Sequence, residues 1–192
     1  MILQAARVVS TLSHPVVVFP ASVPFFLAQA QLTREQIFML GIILFILFLP
    51  IAYFFYAFKR KKISDWDVTK KEERRPIYLL SLLCGGVALF LLQFFESPTL
   101  VSLALTFYLL GILVTIINFF WKISAHAAGV TAGALVFNLL LGQSPYLYFL
   151  IPLVAWSRYR EKEHTPAQIF AGVLLGATVV LAVLIVRTGV SS

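Results

Sequence analysis

Long apolar runs separated by short polar hinges set the pattern of this chain. Ile37 to Phe58, Ile77 to Phe95 and Thr99 to Trp121 each approach the roughly 20 apolar residues that carry a helix across a bilayer core of about 30 Å. Two shorter runs follow, from Lys122-Ile123-Ser124-Ala125-His126 to about Leu141 and from Tyr146 to Trp156, and a final run extends from Pro166 to about Val186. The run Tyr146 to Trp156 is short for a span and must borrow length from its flanks, with Arg158 snorkelling or the helix continuing into the hinge. An N-terminal run, roughly Ala6 to Ala28, is broken by Pro15, Pro20 and Pro24 and reads as a kinked spanning helix rather than a cleaved signal. Thr33 before Arg34-Glu35-Gln36 is a helix start, and Pro166 suits a first helical position with Thr165 as its cap.

The fold class expected from this pattern is all-α: a polytopic membrane helix bundle of six to seven spans, forming a single integral membrane domain over residues 1–192. Composition strengthens that reading, since 60% of the 192 residues are hydrophobic, 12% are charged and mean hydropathy is +0.94. A water-soluble globule is excluded on those figures, and with it a soluble basic domain for nucleic acid. The lone Cys84 lies inside an apolar run and serves packing.

The net charge of +7 is not spread evenly. Counting spans places the Lys59–Pro76 stretch, Ser124–His126 and the hinge Ser157–Pro166 on one membrane face. Of the 15 Lys and Arg residues, only Arg34 and Arg187 fall on the other. The positive-inside rule makes the cation-rich face cytoplasmic, in a multi-pass protein of a cell membrane.

That face also gathers the residues able to do chemistry. His126 and His164 stand at helix starts beside several Arg and Lys side chains. One imidazole can attack phosphorus, a second can protonate the leaving oxygen, and cations can hold the equatorial oxygens, with no metal or other cofactor. Two His without a carboxylate set make a poor zinc site. Asp65-Trp66-Asp67 could hold Mg²⁺ with a diphosphate, but a solvated acidic hinge describes that pair better. His14, near the same face, is expected to pack at the interface. Ala125, Gly129 and Gly133 on one helix, and Gly172 and Gly176 on another, predict close approach of those two helices.

The residues resemble a family, the type 2 phosphatidic acid phosphatases, which share their core with vanadium haloperoxidases. That family's third motif is Ser-Arg, five residues, His, three residues, Asp; here Ser157-Arg158 and His164 match, and Gln168 stands where the Asp would be. The second motif, Pro-Ser-Gly-His, corresponds to Ile123-Ser124-Ala125-His126. The first, Lys, six residues, Arg-Pro, corresponds to Arg75-Pro76 with Val68 in the Lys position, leaving Lys70, Lys71 or Arg74 as substitutes.

The resemblance implies a phosphatidic acid phosphatase type 2-like core over about residues 59–187, preceded by N-terminal spans at about 6–58. It implies His164 as a nucleophile forming phosphohistidine, His126 as general acid, and Arg158, Arg75 and Ser124 as phosphate binders, with Lys71 and Arg74 as further cations. Gln168 would orient His164 without charge, or Asp65, Asp67 or Glu163 would supply a carboxylate. The implied activity is hydrolysis of a lipid phosphate or isoprenoid (di)phosphate delivered by the bilayer. Gln168 and Val68 keep open a weak or inactive relative that binds or moves phospholipid, and a lipid phospho- or prenyl transferase is the third reading.

Overall fold

A computed structural model of the chain describes residues 2–14, 33–66, 68, 70–95, 97–139 and 145–190. Among the described residues there are seven α-helices and no strand: α1 (Ile2–Leu12), α2 (Arg34–Lys59), α3 (Lys71–Leu92), α4 (Pro98–Phe120), α5 (Ala125–Leu139), α6 (Leu150–Arg160) and α7 (Pro166–Val190). Single 3-10 segments, Gln93–Phe95 and Pro145–Phe149, follow α3 and precede α6.

Among the described residues, four helices are long and apolar enough to cross a membrane: Arg34–Lys59, Glu72–Phe95, Pro98–Phe120 and Pro166–Arg187. With 15 and 11 residues, α5 and α6 are shorter. At 1.5 Å per residue they reach only about 22 and about 16 Å, so neither crosses a bilayer core of about 30 Å by itself. Against the six to seven spans expected, four helices of spanning length stand among the described residues. Pro15, Pro20 and Pro24, Asp67, and the turn at Gly142, Gln143 and Ser144 lie outside the described residues.

The contacts divide the chain into two units, Gln29–Ala104 and the combination of Met1–Ala28 with Leu105–Ser192. In the first unit, α2 packs against α3 around Ile43, Ala88 and Phe95, with Met39, Leu47 and Leu91 at the margin. Phe38, Phe45, Leu83 and Phe90 stay exposed, as side chains solvated by lipid do. Thr33 caps α2 with a closed capping box: Gln36 N–H donates to Thr33 Oγ1 at 3.2 Å, and Thr33 N–H donates to Gln36 Oε1 at 3.1 Å. Beyond α2, Trp66 packs edge-on to Phe54 with ring centroids 5.2 Å apart.

In contrast to the expected start at Ile77, α3 begins at Lys71 and carries Pro76 inside it. Glu72 and Glu73 in its first turn suit the positive end of the helix, and Pro76, in the second turn, leaves the Glu72 carbonyl without its helical donor. Glu73 also accepts from Ser64 N–H at 2.7 Å and meets Lys70 at 3.3 Å, which fastens the hinge to the helix. Val68 has φ 48°, a left-handed conformation that costs a β-branched residue about 1–2 kcal/mol.

In the second unit, α5 lies along α7 and α1 along α6. Ala127, Ala128, Ala132, Val136 and Val180 are buried there. The helix approach is set by α7: a methyl group at Gly172 would meet the Ser124 carbonyl oxygen at 2.5 Å, and one at Gly176 would come closer still to that of Ala128. Only glycine permits such backbone contact. On α5 the expectation is corrected, because Gly129 and Gly133 have nothing within 4 Å of an added methyl. Its contacting face is Ser124, Ala127, Ala128 and Thr131, one position away from the stripe read in the sequence.

Candidate active site

Two helix starts build the site. Thr165 caps α7 as Thr33 caps α2: Gln168 N–H donates to Thr165 Oγ1 at 3.3 Å and Thr165 N–H donates to Gln168 Oε1 at 3.1 Å. The same Oε1 lies 3.3 Å from His164 Nδ1. Because this oxygen can only accept, the contact puts the proton on Nδ1 and leaves the lone pair on Nε2. Gln168 thus closes the helix end and selects the tautomer of the histidine before it.

Ser124 caps α5, its Oγ accepting from Ala127 N–H at 3.3 Å. Its own backbone N–H donates to the Gln168 carbonyl at 3.3 Å, tying the start of α5 to the first turn of α7. A second tie joins the flanking hinges, where Lys122 Nζ lies 3.2 Å from Glu163 Oε2. Glu163, one of the carboxylates considered for His164, is thus an ion-pair partner of Lys122.

Arg158 lies in the last turn of α6 and is only 2% exposed. Its Nη1 donates to Ser10 Oγ on α1 and to Glu161 Oε2, the latter at 3.3 Å. A guanidinium held this deep requires such partners, since burial of a bare charge is costly. His126, buried in the first turn of α5, interacts electrostatically with Arg158, His14 and His164. Its Nε2 has no hydrogen-bond partner among the described residues. The His14 ring packs edge-on to it with centroids 5.2 Å apart.

Burial first, and then the charges of Arg158 and Lys122, lower the His164 pKa to about 4. Hydrogen bonds to Gln168 and to the Lys122 backbone offset part of that effect. His164 is consequently neutral at pH 7, with a nucleophilic nitrogen in an electropositive surround. An open apolar groove of about 350 Å³, lined by Ala155, Tyr159, Pro166, Ile169, Phe170 and Val173, lies between α6 and α7.

Ser124, His126, Arg158, His164 and Gln168 therefore share one unit. Arg75, Lys71 and Arg74 belong to α3 in the other. Sequence reasoning missed the roles of Ser10 and His14 at the site, and those of Lys122 and Glu161. The capping signal Thr-x-x-Gln at 165–168 could have revealed the double duty of Gln168, but no local pattern announces that α1 returns to Arg158.

The architecture defines a helical protein with helices long enough to span a membrane and a buried, cationic, histidine-bearing hinge. Residues 117–190 match the sequence model of the PAP2 superfamily, which is consistent with a PAP2-family member and points to a phosphatase-type membrane protein. The matched segment contains Ser124, His126, Arg158, His164 and Gln168, whereas Arg75 and α1 lie outside it. No curated protein and no solved structure matches the chain significantly.

Proposed function

We propose that this chain is a membrane lipid phosphatase that hydrolyses a lipid phosphate or isoprenoid (di)phosphate through a phosphohistidine, without a metal. The observation carrying this reading is the neutral His164, with Nδ1 held by Gln168, in one unit with His126 and the buried Arg158. His164 Nε2 attacks phosphorus, the P–O bond to the lipid alcohol breaks, and that oxygen takes a proton from His126, whose charged form is a strong acid because burial and then the Arg158 charge hold its pKa well below the usual imidazole value. Water then attacks the phosphohistidine, yields its proton to His126 and releases inorganic phosphate, restoring His164. Arg158 and the Ser124 hydroxyl hold the equatorial oxygens. The groove between α6 and α7 offers the lipid tail an apolar surface next to the hinge.

Purified protein is expected to release phosphate from lipid phosphates, with sensitivity to vanadate and indifference to chelators. His164→Ala should fall to background, and His126→Gln should lose roughly 10²- to 10³-fold. Equal, background-level release from wild type and His164→Ala would defeat the reading. The proposed face is cytoplasmic; labelling of a Cys placed at Lys61 from outside intact cells would reverse that orientation.

Gln168 favours a second reading, a relative that binds or moves phospholipid without turnover. A neutral amide orients His164 but does not stabilise the positive ring formed on phosphorylation. Phospholipid binding without phosphate release would identify it.

A further inference from the structure

The N-terminal helix lies outside the segment that matches the PAP2 superfamily, yet it meets the site at two of its key side chains. Ser10 and His14 are four residues apart, and the chain keeps its helical turn past the end of α1, with Ser13 N–H donating to Val9 O at 2.9 Å. That spacing puts both side chains on one face. Ser10 accepts the Arg158 Nη1 proton, and the His14 ring sits edge-on to that of His126 at 5.2 Å. Both are buried, at 4% and 8% exposure, so neither is a solvated surface group. The two side chains they touch are the anion-binding guanidinium and the proposed general acid.

We infer that α1 is a working part of the site: Ser10 and His14 are positioning residues, the first aiming the Arg158 guanidinium and the second bracing the His126 imidazole against α5. The physical basis is the freedom each would otherwise have. A guanidinium on three methylenes has many rotamers, and the Nη1 contact to Ser10 on α1, added to the one with Glu161 on its own hinge, removes most of them before phosphate arrives. The His126 ring, whose Nε2 lacks a hydrogen-bond partner among the described residues, has the His14 ring to hold its plane. An edge-to-face ring contact supplies that restraint without consuming the nitrogen that must carry a proton.

This inference rests on the phosphatase reading for its kinetic consequences but not for its structural ones, and the experiment keeps the two apart. The full-length protein in detergent is compared with Ser10→Ala, His14→Ala and His14→Phe. Substrates are a long-chain alkyl phosphate, whose alcohol leaves only with a proton, and p-nitrophenyl phosphate, whose phenolate leaves readily without one. Ser10→Ala should weaken vanadate inhibition and raise KM roughly ten-fold on both substrates, with kcat changed less. His14→Ala should reduce kcat on the alkyl phosphate roughly ten-fold while nearly sparing p-nitrophenyl phosphate, and His14→Phe, which keeps a ring edge, should restore most of the loss. An equal fall on both substrates would mean that His14 merely supports the fold, and the bracing role would be overturned.

Turnover is not needed for the decision. ¹⁵N-imidazole NMR, with the His126 signals assigned by His126→Gln, should show them shifted in His14→Ala and those of His164 nearly unmoved. Vanadate affinity, read by titration of the same signals, should fall in Ser10→Ala. If the wild-type protein releases no phosphate, the phosphatase reading fails while these two readouts still uphold α1 as part of the site. Unmoved His126 signals and unchanged vanadate affinity would overturn it whatever the enzyme does.

Discussion

Replacing Gln168 by Glu tests the chemistry at its most sensitive point. The helix end is preserved, because Glu closes the same capping box with Thr165. What changes is the charge on an oxygen 3.3 Å from His164 Nδ1. With charge centres about 4 Å apart and an effective dielectric constant of about 20, a unit pair is worth about 4 kcal/mol. Desolvation of the new carboxylate and its sharing with the Thr165 N–H consume about half of that. The remaining 2 kcal/mol or so raises the His164 pKa by about 1.5 units. Starting from about 4, the imidazole still remains mostly neutral at pH 7 and keeps its lone pair for attack. The same charge stabilises the positive ring that develops as the phosphohistidine forms, so release of phosphate should rise roughly ten-fold. The assay is phosphate release from a lipid phosphate in micelles at pH 7, paired with an NMR titration of His164 in both proteins. A higher His164 pKa with unchanged release would refute the assigned role of the ring, and an unmoved pKa would refute the contact itself.

Gly172→Ala and Gly176→Ala should each cost about 1–3 kcal/mol, read as a drop in thermal midpoint in detergent, because their methyl groups run into the α5 backbone. Gly129→Ala and Gly133→Ala, which meet nothing, should be neutral or gain up to about 1 kcal/mol from helix propensity; equal losses at all four positions would contradict the packing. The lowered His164 pKa also sets a pH dependence: the unfolded chain takes up this proton first, so stability falls as pH drops from about 6.5 to about 4. The loss is at most about 3 kcal/mol and should be absent in His164→Gln, as followed by thermal unfolding across that range. Lys122→Met removes one of the charges depressing His164 and should raise its titration midpoint without abolishing phosphate release.

Much of the architecture was legible because lipid-spanning helices and helix caps are written locally. Runs such as Ile37 to Phe58 declare their own length, and Thr33 and Thr165 declare where helices begin. The hinge carrying Arg158 and His164, and the helix start at His126, could be read from their places between apolar runs, whereas Ser124 entered as a site residue only through the family resemblance. Three features could not be read in this way. The start of α3 at Lys71 was hidden by charged residues and Pro76, whose preferences are overridden when Glu72 and Glu73 occupy the first turn. The contacting face of α5 was misread because alanine and threonine serve as well as glycine opposite a glycine on the other helix. The return of α1 to Arg158 and His126 is a contact between residues more than 100 positions apart, and an isolated Ser or His carries no sign of its distant neighbour.

The backbone contact of α5 with α7 has a further consequence. Where two helices touch through side chains, their separation drifts with each substitution. Here Gly172 and Gly176 press against main-chain oxygens, and the Ser124 N–H is bonded to a main-chain carbonyl. The spacing between the ends that bear His126 and His164 is thus fixed by peptide geometry, as a mortised joint is fixed by its timber rather than by its glue. Side chains elsewhere are left at liberty to diversify toward new lipids while the interval across which phosphorus must be handled stays constant.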